Sequence, residues 1–196
     1  MTEDWPAPGP IPVVIGQLMK LDVDPVTVSI ATVVGGLASM LADEAVWDAP
    51  PLLCTLERHP GRMMPYVREV MQPDGDVPDS VAGFAQIVGA GGLPTLLQLK
   101  GQARPEVIGW LLVVEAWMLR NPSPEDSARV EQGERIATMP DRVEVRLVHA
   151  VDRVRAYFSA QPRDGAPELT VESSPDARLE GRLINALRDL MEATPV

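Results

Sequence analysis

Glu106-Val-Ile-Gly-Trp-Leu-Leu-Val-Val-Glu115-Ala-Trp-Met-Leu119 is the stretch that decides the fold class. Apolar residues occupy both alternating faces, with Trp110 and Leu112 on one side and Leu111 and Val113 on the other. A strand that is apolar on both sides is typical of the interior of a sheet covered on both faces. The stretch therefore predicts a central strand.

Downstream, two segments alternate between apolar and polar residues. They cover residues 143–151 and 154–159, and such alternation is typical of strands with one buried face. We expect two adjacent antiparallel strands with a tight turn near residues 152–153, although the turn has no Asn-Gly or Asp-Gly pair. Residues 168–173 predict a short edge strand. This half of the chain therefore contains a small antiparallel sheet.

Upstream of residue 104 the sequence predicts mainly helices. Residues 25–42 repeat apolar side chains at helical spacing after Asp24 and Pro25, which are typical of a helix start. A strand over residues 26–34 remains an alternative because that run is β-branched. Between residues 48 and 78, six prolines leave room only for short helical pieces, such as one over residues 66–71.

Three further helices are predicted from their capping residues. Asp79 or Ser80 is expected to cap a helix that breaks at the glycines of residues 89–92, ahead of a second apolar segment at residues 93–99. Ser123 and Asp126 have capping-box spacing around Pro124 and predict a polar helix to about Thr138. The last helix is expected to begin with Ser174 as its cap and Pro175 in its first turn, and its buried stripe comprises Leu179, Leu183, Leu187, Leu190 and Met191.

These elements define an α+β fold with a mainly helical N-terminal half. A small antiparallel sheet of three to four strands follows, packed with a C-terminal helix. Residues 1–10, rich in proline, are expected to be a flexible leader. Residues 11–196 are expected to form one compact domain, with a helical subregion at about 11–103 and a sheet-containing subregion at about 104–196.

Charge and cysteine content limit the function classes. Acidic residues outnumber basic ones by 28 to 17, giving a net charge of −11 that opposes nucleic acid and anionic membranes. The uncharged stretch at 25–42 is diluted by Thr, Ser and Gly, which disfavours a membrane span. With Cys54 as the only cysteine and no signal-peptide pattern at the N-terminus, we expect a cytoplasmic protein. A protein partner or homo-oligomer is the expected interaction.

The sequence favours neither a cofactor nor a metal. Glycines 89, 91 and 92 do not match the spacing of a dinucleotide-binding turn, because Pro94 stands where the pattern needs glycine. The acidic loop at residues 74–79 departs from the calcium-loop pattern and is expected to be solvated. Cys54, His59 and His149 lack zinc-ligand spacing. Cys54 and His149 are expected to pack in the core.

One group of charged residues on the predicted sheet is a candidate catalytic site. Glu115 interrupts the apolar strand, and Arg142, Glu144 and Arg146 project from one face of a neighbouring strand. An isolated buried carboxylate is costly, so Glu115 needs an arginine partner or exposure. The four residues form either a structural ion-pair ladder or an acid site with a shifted pKa. We favour the ladder.

The run Met139-Pro-Asp-Arg-Val-Glu-Val-Arg-Leu-Val148, followed by a second strand, resembles uncharacterised actinobacterial and actinophage proteins. The resemblance covers about the last eighty residues. It implies no activity and no catalytic residues. The predominance of arginine, fifteen against two lysines, is also consistent with a GC-rich genome.

Two functional hypotheses follow. The first is a non-catalytic acidic accessory or protein-interaction protein, phage-encoded according to the resemblance. The alternative is a small enzyme that uses Glu115, Arg142, Glu144 and Arg146. A sheet face on which every one of these charges is paired would favour the first hypothesis.

Overall fold

The computed structural model describes residues 25–43, 47–92, 106–120, 122–163, 165, 168–171, 179 and 181–195. In chain order these residues form helix α1 (Pro25–Asp43), strands β1 (Leu52–Arg58) and β2 (Tyr66–Met71), helix α2 (Val77–Ile87), strand β3 (Glu106–Leu119), helix α3 (Pro124–Glu131), strands β4 (Arg142–Asp152), β5 (Ala156–Pro162) and β6 (Glu168–Val171), and helix α4 (Arg182–Ala193). A π-helical turn (Val88–Gly92) continues α2, and a 3-10 turn (Ile136–Thr138) lies between α3 and β4.

The six strands form one antiparallel sheet in the order β2-β1-β3-β4-β5-β6. The prediction of a central strand is confirmed, because β3 pairs with β1 on one side and with β4 on the other. The predicted fold class is nevertheless wrong in two respects. The sheet is larger than three to four strands, and β1 and β2 come from the half of the chain that was expected to be mainly helical.

The six prolines explain that error. Prolines 50 and 51 precede β1, prolines 60 and 65 lie in the connection to β2, and prolines 73 and 78 follow β2. None lies inside β1 or β2, so no ladder hydrogen bond is lost. The prolines delimit two strands, and residues 66–71 form β2 instead of a short helix.

Helices cover the sheet on both faces. The face beneath α1, called the α1 face, contributes Leu56, Leu111 and Val148 to a core that includes Ile30 and Val34 of the helix. The opposite face packs against α2 and α4, in a core that includes Trp110, Leu112, Val145, Leu147, Phe84 and Leu187. Because both faces are covered, β3 can be apolar on both sides.

Gly109 interrupts β3 for a steric reason. A Cβ atom there would lie 2.6 Å from the Val151 carbonyl oxygen of β4 and 3.1 Å from Leu56 Cδ1 of β1. The backbone of β4 therefore approaches too closely for any side chain at this position, as is typical of a glycine within a strand.

The helix boundaries correct several predictions. α1 is a helix throughout residues 25–43, which excludes the strand alternative at 26–34. α2 begins two residues before Asp79, because the Asp76 side chain caps it by accepting from the Asp79 amide. The helix breaks as predicted near Gly91, which has φ 86°.

The two remaining helices are shorter than predicted. The capping box of Ser123 and Asp126 is present in α3, but the helix ends at Glu131, and Gly133 has φ 92°. α4 begins at Arg182 after Gly181, later than Ser174 and Pro175 suggested. The predicted leader at 1–10, Asp24, the segment at 93–99 and the Ser174 cap lie outside the described residues. Among the described helices, none has the length and apolar character needed to cross a membrane.

Candidate functional site

The sheet register places Glu115 opposite Arg146. These residues are directly paired between β3 and β4, and Arg146 donates from Nη2 and Nε to Glu115 Oε1 at 2.9 and 3.1 Å. The Arg146 side chain is 4% exposed and that of Glu115 is 12% exposed. Glu115 is therefore mostly buried and paired with an arginine, as the structural interpretation requires.

Two backbone groups complete this pair. The Asp48 amide donates to Glu115 Oε2 at 2.6 Å, and Arg146 Nη1 donates to the Leu41 carbonyl in the last turn of α1. A cation is favourable at a helix C-terminus because the terminal carbonyls lack intrahelical partners. The ion pair thus connects α1 to the sheet at the point where the helix ends.

A second ion pair and two arginine–tryptophan contacts lie beside the Glu115–Arg146 pair. Glu144 accepts a hydrogen bond from Arg163, whose amide also donates to the Glu144 carbonyl at 3.0 Å. The Arg163 and Arg146 guanidiniums lie 5.1 and 4.6 Å from the centre of the Trp47 ring. Each distance is within the range of a cation–π contact.

Arg142 does not pair with Glu115. Its guanidinium lies 5.1 Å from the centre of the Trp117 ring, and Nη1 donates to the Met139 carbonyl at 2.9 Å. The four residues singled out in the sequence therefore lie on one face of two adjacent strands, but only Glu115 and Arg146 are partners. Glu144 pairs instead with Arg163, which the sequence analysis had not included.

Three carboxylates meet in this cluster. Asp48, Glu115 and Glu144 each have an oxygen within 4.8 Å of the others, and carboxylate oxygens are ligands that Ca²⁺ and Mg²⁺ accept. Two of them already pair with arginines, Glu115 with Arg146 and Glu144 with Arg163. A divalent cation would have to share these oxygens with two guanidiniums, so the arrangement favours an ion-pair network.

We expect Ca²⁺ and Mg²⁺ to leave the melting temperature of the dialysed protein unchanged. A cation that binds only the folded state would raise the free energy of unfolding by RT ln(1 + [L]/Kd) and would therefore raise the melting temperature. The measurement is a thermal melt with and without millimolar salt, with Na⁺ at equal ionic strength as the control. A rise of several degrees that disappears in Glu144→Gln would show that the carboxylates bind metal.

The carboxylates of the acidic loop at residues 74–79 also accept hydrogen bonds from other groups of the protein. Asp76 caps α2, and Arg182 of α4 donates to Asp76 and Asp79 at 3.1 and 3.0 Å. Asp74 Oδ1 accepts from the Gly75 amide at 2.8 Å. Asp76 and Asp79 thus form exposed ion pairs between the start of α2 and the start of α4.

The two predicted core residues are buried. Desolvation in the interior raises the pKa of the Cys54 thiol to about 12, with a further contribution from the charge of Glu69. Such a thiol is a poor nucleophile because almost none of it is ionised at neutral pH. His149 packs with its ring centre 5.0 Å from that of Phe158, and burial lowers its pKa to about 4.

A second buried ion pair was missed in the sequence. Glu57 of β1 is fully buried and accepts from Arg68 of β2 at 2.7 and 2.9 Å, and from Thr55 Oγ1 at 2.9 Å. His59 Nε2 lies 3.4 Å from Glu57 Oε2, but the geometry is not that of a hydrogen bond. The alternation of Thr55 and Glu57 with apolar residues was the available signal, and it depended on recognising β1 as a strand.

No protein-family model, curated protein or solved structure matches the chain. The resemblance to actinobacterial and actinophage proteins therefore stays a prediction, and the chain's function has to be inferred from its own residues.

Proposed function

We propose that this chain is a non-catalytic protein-interaction protein of the cytoplasm. The observation that carries the proposal is that Glu115, Glu144, Arg142 and Arg146 are all engaged within the fold. An acid–base catalyst needs a group that can exchange a proton with a substrate. Both carboxylates of this group instead accept from guanidiniums, which supports the binding hypothesis over the enzymatic alternative.

The exposed residues beside this network are typical of a protein interface. Trp117 is 40% exposed although it lies on a sheet strand, and Arg142 is exposed and stacked against it. Tryptophan and arginine are enriched among the residues that contribute most to binding between proteins. Because Arg142 is already held by Trp117 and the Met139 carbonyl, little side-chain entropy would be lost on binding.

The net charge adds to this interpretation. At −11 the chain attracts partners of opposite net charge over a distance and repels nucleic acid. Trp117 and Arg142 would then form the direct contact. The partner proposed here is a protein of positive net charge.

The test compares three forms of the chain in affinity capture from the native host. Trp117→Ser should lose the captured partner, whereas Val154→Ser should retain it. Val154 is the matched control because it is 78% exposed in the turn between β4 and β5, at the other end of β4 from Arg142. Circular dichroism verifies that both variants are folded.

Purified partner should then bind the wild type saturably, with the dissociation constant raised about tenfold or more by Trp117→Ser, a difference of about 1.4 kcal/mol. Sedimentation of the chain alone distinguishes a second copy from a separate protein. Equal binding by both serine variants would refute the proposed surface. Turnover of a substrate that Glu115→Gln abolishes in a folded protein would establish the enzyme instead.

A further inference from the structure

A cavity of about 190 Å³ lies on the α1 face, and its lining includes neither Trp47 nor Trp117. It is lined by the start of α1, the end of β1, residues 62–65 between β1 and β2, and Ile108 of β3. Its volume is below the range of roughly 300–1,000 Å³ found for drug-sized ligands. The cavity therefore suits a small molecule.

Apolar side chains make up most of this lining. Pro25, Val26, Pro65 and Ile108 contribute, and Met63 and Met64 lie at the exposed side, with Met63 95% exposed. Exposed methionines beside a cavity are typical of surfaces that adapt to an apolar ligand, because the side chain is unbranched and flexible. The lining accordingly favours a ligand with an aliphatic portion.

Two arginines line the same cavity, and one of them, Arg62, contributes a positive charge that is uncompensated among the described residues. Arg58 pairs with Glu106 through Nη1 at 3.1 Å, and both side chains are about half exposed. In the described part of the chain, the Arg62 side chain has no hydrogen-bond or ion-pair partner. The Ser29 hydroxyl donates to the Val26 carbonyl at 2.8 Å, so the arginines are the main donors for an anionic group.

We propose that this cavity binds a small aliphatic carboxylate, with the acid near Arg62 and the hydrocarbon chain against Met63 and Met64. The ligand needs both the carboxylate and the hydrocarbon chain. An uncharged chain would leave the arginine unused, and a bare anion would find only a surface guanidinium in water, where ion pairs are weak. The proposed carboxylate site shares no residue with the protein-binding surface around Trp117 and Arg142. Either proposal can therefore fail without the other.

The experiment uses the full chain labelled with ¹³C at its methionine methyl groups. Hexanoate, hexanol and acetate are titrated separately, and Met63→Leu and Met64→Leu assign the two relevant resonances. We expect hexanoate to shift the Met63 and Met64 signals saturably. Hexanol should bind up to about fivefold more weakly, and acetate should produce no saturable shift at the same concentrations.

Arg62→Gln should weaken hexanoate binding up to about fivefold, because it removes the charge of an exposed side chain and keeps a side chain of similar polarity. Arg153→Gln, at the turn between β4 and β5, is the matched control and should bind hexanoate like the wild type. The proposal is overturned if hexanoate shifts Met40 as much as Met63, if no shift saturates, or if the two glutamine variants bind hexanoate equally.

Discussion

Replacing Arg146 with methionine is expected to lower the free energy of unfolding by about 3 kcal/mol. The substitution leaves the Glu115 carboxylate buried without its cation, and removing one member of a buried pair typically costs about 3–5 kcal/mol. It also removes the donor to the Leu41 carbonyl at the end of α1. Urea unfolding at neutral pH measures the change.

A double-mutant cycle separates the ion pair from general packing. Arg146→Met and Glu115→Gln together should cost less than the sum of the single changes, with a coupling energy of at least about 1.5 kcal/mol. Arg142→Met is the matched control, since Arg142 contacts Trp117 and not Glu115. Its coupling to Glu115→Gln should stay within about 0.5 kcal/mol. Equal coupling for the two arginines would contradict the partnership that the structure shows.

Acid is expected to destabilise the protein through His149. Burial lowers its pKa from 6.5 to about 4, and in the described part of the chain neither ring nitrogen has a hydrogen-bond partner. The unfolded state therefore binds the proton more tightly than the folded state does. The stability that comes with the neutral imidazole is fully present above pH 6.5 and is lost as the pH falls toward 4. The loss approaches about 3 kcal/mol, since each unit of pKa shift corresponds to about 1.4 kcal/mol.

His149→Leu isolates this contribution from that of the carboxylates. Urea unfolding of the wild type and the variant at pH 7 and pH 4.5 gives four free energies. The wild type should lose about 2–3 kcal/mol more than the variant between these pH values. If both lose the same amount, His149 does not govern the acid response.

Sequence patterns predicted those elements whose formation depends on residues close together in the chain. The central strand β3, the β4–β5 pair and the start of α3 follow from alternation or capping, which depend on neighbours within a few residues. Glu115 also stood out locally, because a charge in an apolar strand must be compensated. Its partner Arg146 was one of two arginines on the neighbouring strand that the sequence offered.

Pairing between distant segments required the tertiary structure. β1 and β2 were missed because prolines around a strand and prolines that break a helix look alike until the strands are seen to pair. The choice of Arg146 over Arg142 depends on strand register, because a shift of four residues would place Arg142 opposite Glu115 while preserving every buried face. Asp48, Trp47 and Arg163 join the site from separate parts of the chain. The sequence by itself therefore determined that β3 is buried on both faces and that Glu115 needs a cation. The folded sheet decided which residue supplies that cation, because strand order and register are set by contacts between residues far apart in sequence.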